Sequence, residues 1–224
     1  MKSKIRNILL VLIIFEWAEA DITFPENDMR LNYTHVIFRW TQEPDCNLYH
    51  LVVSNIFNET VIDIHTDQLI YIDEDNFTWD QNYIATLTPI YFNENNVQLS
   101  DTVSFSIGPE YPFADLDIQV IDTGHIQDGL ALFSQISPNF RMVIIDKLGN
   151  QIWNSEFAYI NHWNKYGQLF GMKDGRGVEV NFHDEILWMT PTGTEIDAHE
   201  IKQIPNGNYM GIAAEYQLGP IPTG

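Results

Sequence analysis

Val143-Ile144-Ile145-Asp146-Lys147-Leu148-Gly149-Asn150-Gln151-Ile152-Trp153 is apolar, breaks at an Asp-x-x-Gly-Asn turn, and becomes apolar again. Asn and Gly supply the positive φ that tight hairpins need, so the stretch predicts two antiparallel strands. The same grammar recurs in Ile186-Leu187-Trp188-Met189-Thr190-Pro191-Thr192-Gly193-Thr194-Glu195-Ile196-Asp197, where Gly193 lies 44 residues after Gly149. A second phrase follows each copy: Lys165-Tyr166-Gly167-Gln168-Leu169-Phe170-Gly171, then Pro205-Asn206-Gly207-Asn208-Tyr209-Met210-Gly211, with Gly207 40 residues after Gly167. Two hairpin signals per period of about 40–45 residues is the spacing of a four-stranded β-propeller blade. The chain carries roughly two such units.

Working outward, no stretch beyond the first twenty residues has a sustained 3.6-residue apolar period, so the mature chain is expected to be all-β. Its 224 residues suit one or two domains. With 45% hydrophobic and 13% aromatic residues it has the material for a packed core. Thirty-one acidic residues against 11 basic ones give a formal charge of −20. That balance speaks against nucleic acid, whose phosphates call for Lys and Arg, and against anionic lipid. Lys2, Lys4 and Arg6, then apolar Ile8 to Phe15, then Ala18-Glu19-Ala20, predict a secretory signal peptide over 1–20. The mature protein is therefore expected to be exported, periplasmic or extracellular, with no membrane contact after cleavage. The single cysteine, Cys46, excludes an intrachain disulfide and reads as a small buried hydrophobe at a strand start.

Residues 21–108 follow a different grammar, of short strands separated by turns. Val36–Trp40, Tyr49–Val53, Thr60–Ile64, Leu69–Ile72, Tyr83–Ile90 and Val97–Ile107 predict a β-sandwich of about seven strands. Trp40 sits late in its strand, where a large aromatic can fill the space between two sheets. Trp79-Asp80-Gln81-Asn82-Tyr83 resembles the turn before the sixth strand of fibronectin type III domains, and Arg39-Trp40-Thr41 fits their second strand. The resemblance implies that Tyr83 closes a corner of the sandwich. Residues 109–114 read as a linker, Pro-bearing and following Gly108, and 115–224 as the opening of a propeller.

Most templates for chemistry are missing from the sequence. It has no Gly-rich phosphate loop, no H-E-x-x-H, no paired-Cys zinc pattern and no G-x-S-x-G elbow. The second segment does hold His125, His162, His183 and His199, and no i, i+2 or i, i+4 pair among them suggests a metal. His162 reads as a surface loop residue and His183 as a turn residue before the Ile186 strand. Arg176, between two glycines, reads as a solvated hairpin tip. His199 stands out, opening His199-Glu200-Ile201 ahead of Ile204-Pro205-Asn206-Gly207-Asn208-Tyr209. Together with Ile145-Asp146-Lys147-Leu148-Gly149-Asn150-Gln151-Ile152-Trp153, this order resembles the arylsulfotransferase family of exported β-propellers, over about residues 115–217.

The resemblance implies sulfuryl transfer between a phenolic sulfate and a phenol through a sulfated histidine, without a nucleotide sulfate donor; no cofactor or metal is expected. The residue type suits that chemistry. A neutral imidazole is a nucleophile at neutral pH and serves as acid or base, and neighbouring cations would stabilise charge on the sulfuryl oxygens. His199 is the one residue carried over, as a channel-lining or substrate-positioning group; the competing reading is a histidine that hydrogen-bonds a strand end. A closed propeller needs at least four blades, so the chain is expected to be an N-terminal fragment, inactive alone, whose nucleophilic His lies beyond Gly224. The alternative function is a non-catalytic exported propeller that binds partners or serves as a scaffold.

Overall fold

The computed structural model describes residues 20–91, 99–111, 124–125, 128–135, 141–197 and 199–213. Residues 1–19 of the expected leader, the beginning of the expected Val97 strand and the C-terminal Gly219–Gly224 loop lie outside them. Ala20, placed in the leader by the sequence reading, is 2% exposed and packs into the first apolar core. The described residues form strands and turns without helix, and no helix among them is long and apolar enough to cross a membrane.

Among the described residues eight strands build the N-terminal part: β1 (Ile22–Phe24), β2 (Met29–Leu31), β3 (Val36–Trp40), β4 (Cys46–Asn55), β5 (Thr60–Thr66), β6 (Ile70–Asp73), β7 (Asn82–Tyr91) and β8 (Asp101–Ile107). They form two sheets, ordered β1-β3-β6 and β2-β8-β7-β4-β5, with β2 parallel to β8 and the other pairs antiparallel. Period-two alternation sends Val36, Phe38 and Trp40 of β3 inward while Ile37 and Arg39 face out. These side chains meet Tyr49, Leu51, Val53, Tyr83, Ala85, Leu87 and Phe105 from the larger sheet in one cluster. Phe77 lies edge-on to Tyr83 at 4.8 Å and Trp40 tilts against Tyr49 at 5.7 Å. Cys46 is buried at the start of β4, as expected. The Tyr83 hydroxyl accepts the Thr78 N–H at 3.1 Å, tying the start of β7 to the preceding turn. Strands β1 and β2 precede the expected Val36–Trp40 strand and are three residues long each.

Nine more strands follow among the described residues. β9 (Ala131–Gln135), β10 (Arg141–Ile145) and β11 (Gln151–Ser155) form one antiparallel sheet. β12 (Tyr159–Trp163), β13 (Leu169–Lys173), β14 (Arg176–Val180) and β15 (Ile186–Met189) form a four-stranded antiparallel meander in chain order. β16 (Ile201–Gln203) and β17 (Tyr209–Gly211) make a separate hairpin. None of these sheets closes on itself among the described residues. Four consecutive residues of β10, β11 and β14 are buried, so both faces of these strands are covered. Gly171 shows how close the packing is, since a Cβ there would lie 1.8 Å from the Tyr159 carbonyl oxygen.

One five-residue turn recurs. In Asp146–Asn150, Asn164–Gln168 and Asn181–Glu185 the first residue's N–H bonds the fifth residue's carbonyl, and its side-chain oxygen accepts N–H groups from the third and fifth. Asn55–Glu59 of the sandwich repeats the device. The fourth position takes positive φ, filled by Gly149, Gly167, Asp184 and Asn58. Ile204–Asn208 keeps the backbone pattern with Gly207 in the fourth place, so the 40-residue repeat of the second phrase corresponds to two like hairpins, β12–β13 and β16–β17.

The 44-residue repeat is only half realised. Asp146 closes the β10–β11 hairpin, but Thr190, its counterpart, gives its N–H to the Gly177 carbonyl at 2.9 Å. Its own carbonyl receives the Arg176 guanidinium. With both backbone groups engaged by β14, Thr190 cannot close a hairpin. The chain turns instead at Pro191–Thr194, and among the described residues no strand returns along β15. Arg176 stands at the predicted hairpin, but its head group is tied to Thr190 rather than solvated.

Candidate functional site

The two groups of sheets are joined by backbone pairing. Thr34 donates its N–H to Ile152 O at 2.9 Å and Asn154 donates to Asn32 O at 3.0 Å, so residues 32–34 extend the β9-β10-β11 sheet past β11. Trp79 of the sandwich adds an indole N–H to Gln151 O at 3.3 Å. Asn154 Nδ2 holds the Pro109 carbonyl, so the expected linker is pinned at its start.

The Asn181–Glu185 turn meets this junction. As the third residue of the turn, His183 is carried to its tip, where its ring lies 5.5 Å from Phe24 and 5.4 Å from Tyr33. Its Nε2 is 3.4 Å from the Tyr33 hydroxyl, and its Nδ1 is buried without a hydrogen-bond partner among the described residues. Burial lowers the His183 pKa, against a smaller opposing effect of Glu185. Burial likewise raises the Tyr33 hydroxyl, partly offset by Arg39. Beside them Asp184 receives the Ser155 hydroxyl at 2.6 Å and Asn32 Nδ2 at 3.3 Å. Burial nevertheless pushes its carboxyl up to about 6, with Ser155, Lys173 and Asn32 pulling the other way.

Around His183 lies a cleft of about 490 Å³, lined largely by Phe24, Ile37, Ile70, Trp153 and Phe182. Arg39 stands at its side with its guanidinium 5.3 Å from the centre of the Phe24 ring. A mainly apolar cavity of this size, with the imidazoles of His35 and His183, the Tyr33 phenol and the Arg39 cation on its lining, has the properties of a small-molecule site. The sequence reading gave His183 only a turn role. The turn was legible, but the chemistry depends on Phe24 and Tyr33, about 150 residues earlier in the chain.

His199 lies elsewhere, just before β16, with its side chain 86% exposed. Its N–H bonds Asp197 Oδ1 at 2.9 Å and its ring Nδ1 contacts the same oxygen. Hydrogen bonds from His199 hold the Asp197 carboxyl below its ordinary pKa. His162, on β12, lies against Phe170 with ring centres 5.8 Å apart. Neither histidine lines the His183 cleft. One group of His and carboxylate side chains among the described residues comes within metal-ligating reach, His50, Asp63 and His65 of the sandwich. Comparison with protein-family models and with curated proteins finds no match to this chain.

Proposed function

We propose that the chain is the N-terminal part of an exported β-propeller of the arylsulfotransferase type, with a fibronectin-like sandwich braced against its first blade. The observation that carries this reading is the β12–β15 meander followed by β16–β17, whose hairpin repeats that of β12–β13 after 40 residues. Strands covered on both faces suit blades stacked side by side around an axis. The sheet orders β1-β3-β6 and β2-β8-β7-β4-β5, together with the Tyr83–Thr78 bond, support the fibronectin-like reading.

Under this proposal β12 and β16 are the first strands of consecutive blades, and His162 and His199 approach the same end of the ring. Asp197 at Nδ1 fixes the His199 tautomer, leaving Nε2 free to take or give a proton or to meet a sulfuryl group. The channel needs further blades to close. The test uses the full-length protein with an aryl sulfate donor and a phenol acceptor. Transfer is expected, with His199→Ala lowering the rate by about 10–10⁴-fold at unchanged thermal midpoint. Absence of transfer and of any acid-labile sulfate on histidine defeats the proposal.

The apolar cleft favours a second reading, a non-catalytic binding or scaffold protein. Under it, an anionic aromatic probe such as anilinonaphthalene sulfonate binds the folded protein at the cleft. Arg39→Gln and His183→Ala weaken that binding, while His199→Ala leaves it unchanged.

A further inference from the structure

The outer face of the larger sandwich sheet carries a side-chain cluster that neither reading uses. His50 of β4 stands directly opposite His65 of β5, and Asp63 precedes His65 by two residues on the same strand. Strand periodicity therefore puts all three on one face. The two imidazoles stack with centres 4.2 Å apart and planes 7° from parallel, and His50 Nε2 contacts Asp63 Oδ1 at 2.8 Å. One donor atom from each residue lies within 4.8 Å of the others. β5 is the edge strand of its sheet, and His65 and Asp63 are exposed, so a solvated ion has an open approach.

We propose that His50, Asp63 and His65 form a binding site for one divalent transition-metal ion of the zinc class. Two imidazole nitrogens and one carboxylate oxygen are the donors such borderline ions prefer, whereas calcium and magnesium favour all-oxygen sites. Bonds of about 2.0–2.2 Å in a tetrahedral arrangement set donors about 3.3 Å apart. Three protein ligands leave a fourth position to water. The chain's net charge of −20 raises the local concentration of cations. A bound ion would clip the edge strand β5 to β4 at its middle, adding a link that backbone pairing alone does not supply.

The test is a zinc titration of the tag-free full chain against a chromophoric chelator, with circular dichroism confirming the fold of each variant. One equivalent is expected to bind at micromolar or tighter affinity. His50→Ala and His65→Ala should each weaken it by about 100-fold or more, and Asp63→Asn by about 10–100-fold. Zinc should also slow amide exchange along β5 in the wild type and not in His65→Ala. If the histidines serve only as a stacked cross-strand pair, His65→Ala lowers the melting temperature equally with and without zinc. That result overturns the proposal, as does absence of stoichiometric uptake or wild-type affinity in either histidine variant.

Discussion

In the sandwich, β3 buries every second residue, whereas β10 and β14 bury four in succession. The first pattern belongs to a sheet with one wet face and one core face, which two sheets can satisfy by closing on each other. The second belongs to sheets in layers, each needing a neighbour on either side. The sandwich thus completes its own core, while the C-terminal sheets draw on the sandwich through residues 32–34 and β11. Self-sufficiency in one region and dependence in the other is the main physical difference between them.

Trp153 is the sharpest place to break that relation. Its side chain is 2% exposed in the second core, its indole donates to Phe182 O at 2.9 Å, and its backbone bridges to Tyr33. Trp153→Ala is expected to cost about 3–5 kcal/mol. The loss should fall on the C-terminal sheets, so amide exchange accelerates in β10–β15 while β3, β4 and β7 keep their protection. Equal loss in both regions would mean that the sandwich is not self-sufficient.

Gly171→Ala tests the layers without touching the junction. Its Cβ would meet backbone on β12, which cannot yield as a flexible side chain does. A loss of about 3 kcal/mol is expected in denaturant titration, with the β12–β13 pairing opened first. A fully neutral outcome would contradict the close approach of these strands.

Asp184 gives a pH handle on the junction. Because its folded pKa is raised to about 6, the folded state binds its proton more tightly than the unfolded chain, whose Asp titrates near 3.9. Its contribution favours folding below about pH 4 and is lost as pH rises through 6. The stability difference between Asp184→Asn and wild type should therefore shift towards the variant by about 1–2 kcal/mol between pH 4 and 7. A flat difference would remove Asp184 from the buried junction.

The smallest expected effect compares one device in both regions. Asp146→Ala and Asn55→Ala each remove a side-chain oxygen that accepts two turn N–H groups. Each should cost about 1 kcal/mol by chemical denaturation. A much larger cost at Asp146 would show that the β10–β11 hairpin organises more than its own turn.

These elements differ in how far the sequence discloses them. Asp146-x-x-Gly149-Asn150 and Pro205-Asn206-Gly207-Asn208 are readable because turn conformation is decided locally by side-chain oxygens and positive φ. The alternation in Val36–Trp40 and the corner role of Tyr83 are local in the same way. The Thr190 turn misleads because its outcome is set by Gly177 and Arg176 on a neighbouring strand. The turn that carries His183 is legible in the same local way, but its aromatic neighbours are not, since they come from the other end of the chain. His50 and His65 are ordinary strand residues until the β4–β5 register sets them face to face.

The pairing of Asn32–Thr34 with β11 also has a meaning in time. During synthesis the sandwich leaves the ribosome first, and Asn154 follows Thr34 by 120 residues, on the order of ten seconds at typical elongation rates. The nascent sandwich thus displays a ready row of backbone donors and acceptors before its partner strand exists. It acts as a template on which β11 is captured on emergence, shielding a sheet edge that would otherwise invite pairing with another chain. Ribosome-stalled chains extended far enough past Ser155 for β11 to have emerged should accordingly expose more protease-sensitive β-structure when residues 32–34 are made unable to pair.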